Sequence, residues 1–337
     1  MFVGDLDLGE KPLFLAPMED ITDPSFRYLC KKFGADVMYT EFISSDGLIR
    51  DGAKSVRKLD IFHYERPMGI QLYGHLIDSM VEATHRAVEA RPEIIDINYG
   101  CPVRKIANRG AGAGMLANIP LMMEMTRAIV DASPIPVTVK TRLGWDEDQK
   151  IIVEVAEQLQ DQGIAALTIH GRTRAQMYKG RADWTLIGEV KNNPRMKIPI
   201  IGNGDITTPQ EAREAFDRYG VDGIMIGRAA VGKPWLFSHV KHYLRTGELL
   251  ELPTVSEKVD MARMQFSKSL EVKSEPVGIY EMRRHLSNYF KGLPNFKELR
   301  IKLLTSLDVE EIFSVLEEIR EKYGDFTPED PGSFWDR

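Results

Sequence analysis

Ile94-Ile95-Asp96-Ile97-Asn98-Tyr99-Gly100-Cys101-Pro102 is an apolar run that stops abruptly at a loop bounded by Gly and Pro. A short β-branched run ended this way predicts a strand buried on both faces, with the loop leaving its C-terminal end. Cys101 is one of only two cysteines in the chain and stands at that break. It is either a chemical group facing a substrate or a packing residue.

Working outward, seven more runs share this form: Leu13–Met18, Val37–Phe42, Pro67–Tyr73, Pro136–Arg142, Ala166–Gly171, Ile198–Gly204 and Gly223–Arg228. Amphipathic stretches lie between them, among them Ile77–Glu89, Pro120–Val130 and Ile151–Gln162. Strand alternating with helix implies a parallel sheet. A count of eight predicts an α/β fold, a (β/α)8 TIM barrel, with an open doubly wound sheet as the alternative. Beyond Thr254 the pattern becomes helical. Ile279, Met282, Leu286, Tyr289 and Leu293 recur at helical spacing, as do Val309, Ile312, Phe313, Leu316 and Ile319. Asp308 followed by Glu311 reads as a capping box for the last helix. The expected organisation is a catalytic barrel over 1–250 and a small all-helical domain over 251–337, its helices within Val255–Tyr323. The Met and aromatic residues of its stripes are read as core.

The 337 residues are 43% hydrophobic and 28% charged, ordinary values for a globular protein. There is no long apolar run and no signal-peptide pattern at the N-terminus, so no membrane association is expected. Two cysteines do not build a disulfide framework, so both thiols are expected reduced and the protein cytoplasmic. Histidines are scattered and no Cys/His pairing has zinc spacing, so no metal is expected.

Barrel chemistry sits at the C-terminal strand ends. Here those ends carry Ala16-Pro17-Met18, followed by Glu19 and Asp20; Gln71; Asn98 and Cys101; Lys140-Thr141-Arg142; His170-Gly171-Arg172; Gly202-Asn203-Gly204-Asp205; and Gly227-Arg228. Glycines on strands 7 and 8 with Arg228 suit a phosphate, although plain tight turns also explain Gly202 and Gly204. Lys140 is a Schiff-base lysine, a counter-charge for a reduced flavin, or a partner for a phosphate or carboxylate. Gln71 and Asn98 offer amide edges to a heterocycle. His170 is read as a site residue, with a satisfied core histidine as the alternative. Gly110-Ala111-Gly112-Ala113-Gly114 lacks dinucleotide-binding spacing and is read as a flexible substrate loop.

Several of these segments carry a resemblance. Ala16-Pro17-Met18, Gln71-Leu72-Tyr73-Gly74, Asn98-Tyr99-Gly100-Cys101-Pro102, His170-Gly171-Arg172-Thr173-Arg174 and Gly202-Asn203-Gly204-Asp205 resemble signatures of the tRNA-dihydrouridine synthases. Gln176-Met177-Tyr178-Lys179-Gly180 and Asp183-Trp184 extend the match, which is most like the bacterial DusB-like branch. It runs from about Leu13 to Trp235, and more loosely into the helical tail. The resemblance implies FMN across the barrel mouth, surrounded by Ala16, Pro17, Met18, Gln71, Lys140, His170, Asn203, Gly204, Asp205, Gly227 and Arg228. It implies NADPH (or NADH) as reductant and reduction of C5=C6 of a uridine in tRNA to 5,6-dihydrouridine. Hydride passes from reduced FMN N5 to C6, and Cys101 matches the acid that protonates C5. Asn98 matches a residue that touches the uracil, and Arg172 and Arg174 are expected near the substrate. Tyr99 stands where Met is more usual, and Ala107-Asn108-Arg109 is an uncommon continuation of the cysteine loop.

An acid must hold its proton at neutral pH, and a thiol of pKa about 8.5 does. A nucleophilic cysteine needs the reverse, and Arg104 and Lys105 nearby act in that direction if they face the sulfur. Cys30 is read as a small buried residue. The net charge of −6 is unevenly spread: residues 260–305 carry a net +4 and residues 306–337 a net −7. A basic helical face, with Arg104, Lys105, Arg109, Arg172, Arg174, Lys179 and Arg181 in the barrel loops, suits phosphate tracking, although such runs are also common as solvated surface. Other readings are a flavin barrel acting on a free pyrimidine or an enone, a Schiff-base aldolase using Lys140, and a non-catalytic RNA-binding barrel.

Overall fold

The computed structural model describes residues 1–327. Eight strands form its centre: β1 (Leu13–Leu15), β2 (Val37–Tyr39), β3 (Met68–Tyr73), β4 (Ile94–Asn98), β5 (Val137–Arg142), β6 (Ala166–His170), β7 (Ile200–Asn203) and β8 (Gly223–Ile226). All neighbouring pairs are parallel. The last strand pairs with the first, Ile224 opposite Leu13 and Ile226 opposite Leu15, so the sheet closes into a TIM barrel and the open-sheet alternative is excluded. Every strand falls within an expected run; β3 and β5 reach its end, and the other six stop short where the terminal residues turn out into the loops that build the site.

Side chains alternate between two cores, as strand geometry requires. On β4, Ile95 and Ile97 join Val137, Val139, Leu167 and Ile169 against the surrounding helices. Ile94 faces inward with Phe14, Val37, Ala166, Ile201 and Met225. A hairpin of Phe2–Val3 and Leu6–Asp7, unanticipated from the sequence, packs Val3, Met1, Leu6 and Leu8 on this inner cluster and closes the N-terminal mouth. A second unanticipated strand, Ile43–Ser44, extends beside the end of β3.

The outer layer contains α1 (Pro24–Lys32), α2 (Ile77–Glu89), α3 (Ile119–Ala132), α4 (Ile152–Asp161), α5 (Thr185–Asn192), α6 (Pro209–Tyr219) and α7 (Leu236–Thr246), with shorter helices between. Exposed residues follow Gly247, and then four helices complete the described chain: α8 (Val255–Val272), α9 (Glu275–Tyr289), α10 (Lys297–Thr305) and α11 (Val309–Tyr323). They build their own core around Phe266, Met282, Leu286, Tyr289 and Leu316, which Leu29 of α1 and Trp235 join from the barrel. Thr254 and Glu257 form a capping box at the start of α8. The box expected at Asp308 is only half made. Asp308 accepts from the Glu310 and Glu311 amides, but the Glu311 carboxylate accepts from the Ser306 hydroxyl at 2.5 Å instead of reaching back. Among the described residues no helix is long and apolar enough to cross a membrane. Residues 328–337, part of the acidic tail, lie outside the described residues.

Candidate active site

A cavity opens at the C-terminal face of the barrel. Ala16, Pro17 and Met18 line it after β1, Gln71 on β3, Asn98 and Cys101 at the end of β4, and Lys140 on β5. His170, Asn203, Gly204, Asp205, Gly227 and Arg228 complete the ring. Period-two alternation explains the set. On β4 and β5, Asp96, Asn98, Thr138, Lys140 and Arg142 occupy the inward positions between outward Ile95, Ile97, Val137 and Val139.

A chain of hydrogen bonds crosses the floor. The buried Asp96 carboxylate accepts from Thr138 Oγ1 at 2.5 Å and from Gln71 Nε2 at 2.6 Å. Gln71 Oε1 accepts from Asn98 Nδ2 at 2.9 Å. Asn98 Oδ1 accepts from the Gly100 and Cys101 amides at 2.9 and 2.8 Å. The cysteine loop is held from its other sides too. Arg142 Nε donates to the Gly100 carbonyl at 2.7 Å, and the Ala113 amide to the Cys101 carbonyl at 3.0 Å.

The field in the cavity is set by burial among cations. Burial raises the Cys101 thiol, with Arg142 and Lys140 only partly opposing it, so the sulfur stays protonated at neutral pH. Arg104 and Lys105 are exposed. Burial, then the charge of Arg142, lowers Lys140 to about 8, against the pull of Asp96. Burial lifts Asp96 to about 7, against its hydrogen bonds from Gln71 and Thr138. Burial and the charges of Arg142, Lys140, Arg172 and Arg228 hold His170 well below its ordinary value, so its imidazole is neutral. At the β7–β8 side, Arg228 pairs with Asp205 at 3.2 Å. Gly204 has φ +128, a backbone open to glycine and strained for other residues.

Arg172, expected near the substrate, does not line the cavity. It is buried behind the wall, donating to the carbonyls of Lys179 and Gly180, pairing with Asp205 at 2.8 Å and lying 3.3 Å from His170 Nε2. Arg174 is also outside, its guanidinium 4.3 Å from the Trp145 ring centroid and hydrogen-bonded to Asn108. The 110–114 segment is not a flexible loop. Ala111 to Leu116 are buried, and a Cβ on Gly112 would come within 2.9 Å of the Cys101 carbonyl oxygen. Tyr99 turns away from the cavity, its hydroxyl 3.0 Å from Thr126 Oγ1 on α3.

Asp96, Arg142 and Tyr178 were not assigned a role from the sequence, yet Arg142 and Tyr178 line the cavity and Asp96 lies beneath it. The inward register of Asp96 and Arg142 was readable from alternation, but their partners come from other strands. Tyr178 sits at the rim with the guanidiniums of Arg142 and Arg228 at 5.5 and 5.2 Å from its ring. Glu19, Asp20 and Glu41 also come together, a carboxylate group that sequence spacing hides. Lys54 and Lys58 neutralise it, with Lys54 2.8 Å and Lys58 2.5 Å from Glu19.

Arg104, Lys105, Arg109, Lys179 and Arg181 are exposed in the loops after β4 and β6. Part of the basic helical segment is paired within the fold. Arg263 pairs with Glu317, Lys302 with Glu318, Arg284 with Asp20, and Lys273 with both Asp23 and Glu281.

Comparison with known proteins agrees with this architecture. Morphinone reductase in complex with tetrahydroNAD shares the barrel at 13% identity, with a TM-score of 0.51 over 74% of this chain and 90% of that one. A probable tRNA-dihydrouridine synthase of Rickettsia conorii is 38% identical over 299 residues, 88% of this chain and 89% of the relative. The tRNA-dihydrouridine synthase B of Pseudomonas putida is 40% identical over 291 residues, 86% of each chain. The family model for dihydrouridine synthase (Dus) matches residues 14–323. The chain belongs to the dihydrouridine synthase family.

Proposed function

We propose that the chain reduces the C5=C6 bond of a uridine in tRNA to 5,6-dihydrouridine, with FMN in the barrel mouth, NADPH or NADH as reductant, and the cytoplasm as its place of action. One observation carries the reading: Cys101, 7% exposed, stands on the wall of a cavity that also holds a lysine and two inward amides, and burial pushes its thiol up.

The residues present fit a phosphorylated heterocycle. Among the described residues Lys140 Nζ makes no hydrogen bond or ion pair, so an inward cation awaits an anionic partner. Gln71 lies beside it with amide groups suited to a ring edge, while Arg228, Gly227 and Gly204 form a cationic, glycine-rich end suited to a phosphate. When bound, FMN supplies the hydride that it takes from the reduced nicotinamide. Lys140 offers the counter-charge for an anionic flavin. Neutral His170 offers a hydrogen bond without adding charge. Asn98 stands at the substrate side, and Cys101 gives its proton to C5. The exposed cations of the β4 and β6 loops meet the tRNA backbone, with the target base withdrawn from its stack to reach the cavity. Family membership weighs against the aldolase reading of Lys140.

The test is mass spectrometry of unmodified tRNA incubated with the protein, FMN and NADPH. One uridine is expected to gain 2 Da, about the mass of two added hydrogens. Unchanged tRNA in the presence of reduced flavin defeats the proposal.

A further inference from the structure

We propose that Asp96 is a positioning residue: its carboxylate anchors one end of the hydrogen-bond chain that orients Gln71 and Asn98, and so helps hold the loop of Cys101. The argument is one of hydrogen-bond polarity. An ionised carboxylate only accepts. Asp96 therefore requires Nε2 of Gln71, which leaves Oε1 of Gln71 facing β4. That oxygen requires Nδ2 of Asn98, which leaves Oδ1 of Asn98 facing the Gly100 and Cys101 amides. Each amide alone is reversible, because its oxygen and nitrogen are nearly the same size. The chain is fixed at both ends: Asp96 only accepts and the Gly100 and Cys101 N–H groups only donate, so the two ends set the same direction. Thr138 Oγ1 occupies its second oxygen, so both carboxylate oxygens act as acceptors in this arrangement.

The position of Asp96 suits this role better than contact with a ligand. It is 1% exposed and does not line the cavity, whereas Gln71, Asn98 and Cys101 all do. Burial lifts Asp96 to about 7 against its two donors and the charge of Lys140, so the accept-only form predominates above that pH, where exchange is followed. The role serves the cysteine of the proposed reaction and rests on that reading.

Amide hydrogen exchange reads the position without tRNA or reductant. The experiment uses the full-length, FMN-loaded protein and follows the Gly100, Cys101 and Tyr99 amides by NMR. Tyr99 is the internal control, since its amide donates to the Lys140 carbonyl and not to Asn98. In Asp96→Leu the acceptor is gone, so Gln71 is free to turn over and Asn98 loses the partner that holds its Oδ1 toward the two N–H groups. Exchange at Gly100 and Cys101 is expected to quicken at least tenfold while Tyr99 keeps its rate. Adding Gln71→Glu restores an acceptor facing Asn98 Nδ2, and protection is expected to return. Unchanged Gly100 and Cys101 rates in Asp96→Leu overturn the proposal. So does equal acceleration of Tyr99, or a double variant that remains unprotected. Dihydrouridine formation by the wild-type protein is assayed in parallel, so a failure of the functional reading shows itself separately.

Discussion

Cys101 draws its chemistry from where the backbone leaves it. Burial keeps the thiol protonated, and the loop is pinned by Asn98, Arg142 and Ala113, so the sulfur is both loaded and placed. Cys101→Ala is expected to retain FMN and to oxidise NADPH, while tRNA reduction falls about 10²–10⁴-fold, the usual worth of a general acid. Rapid-quench assays of dihydrouridine alongside NADPH consumption check the split. Lys140 gives a pH signature. Its protonated form is the useful one and predominates below about 8, so FMN affinity in a fluorescence titration is expected to weaken as pH rises through that value. Lys140→Met is expected to bind FMN weakly at every pH; a wild-type affinity that is flat from pH 7 to 9.5 excludes the lysine from the flavin's charge. At this scale the strand-end rule made Cys101, Lys140 and Gln71 legible. Asp96 was not, because its partners Gln71 and Thr138 are 25 and 42 residues away and only barrel closure brings them together.

Elements place these groups through alternation and through glycines that make room. Gly202 on β7 is one such position: a Cβ there would enter the Trp184 ring. The same indole donates from Nε1 to the Gly204 carbonyl at 2.9 Å, so the clash reaches the β7 end of the cavity. Gly202→Ala is expected to destabilise the fold by about 1–3 kcal/mol, as overpacking does. Urea unfolding measures that cost, and the flavin content of the purified variant should fall with it. The plain-turn reading of Gly202 therefore misses its packing duty. All eight strands were legible because continuous apolar runs and intervening helices are strong local signals. The Gly110–Gly114 segment misled for the opposite reason. Glycine composition suggests mobility, yet close approach to the Cys101 backbone is what uses it here. The half-made box at Asp308 turned on one neighbour, Ser306, which captures the Glu311 carboxylate.

At the scale of the whole molecule, two cores meet where α1 packs against the helical domain. Leu29 enters the helical core, and the Asp23 cap of α1 pairs with Lys273. His285, 2% exposed and against Phe26, sits in the same contact. Burial lowers it to about 4, with Asp23 opposing and Lys273 and Arg284 adding to the shift. A histidine with a depressed folded-state value favours the fold fully above its unfolded value near 6.5, and loses that advantage as pH falls toward 4. His285→Gln therefore removes a cost that grows in acid. Relative to the variant, the wild type is expected to lose about 2–3 kcal/mol between pH 7.5 and pH 4.5 in urea titrations; parallel pH profiles would refute the assignment. The helical tail was legible as an element pattern. Its charge was not, because neutralising partners such as Glu317 for Arg263 lie far along the chain.

The central claim joins these scales: a protonated Cys101, fixed at the mouth of this barrel, completes the reduction of a tRNA uridine. It is tested most directly by mass spectrometry of unmodified tRNA treated with FMN, NADPH and either the wild-type chain or Cys101→Ala. The account expects a 2 Da gain on a uridine with the wild type, about the mass of two hydrogens, and almost none with the variant, although both oxidise NADPH. Equal conversion by the two proteins, or none by the wild type while its flavin is being reduced, contradicts it.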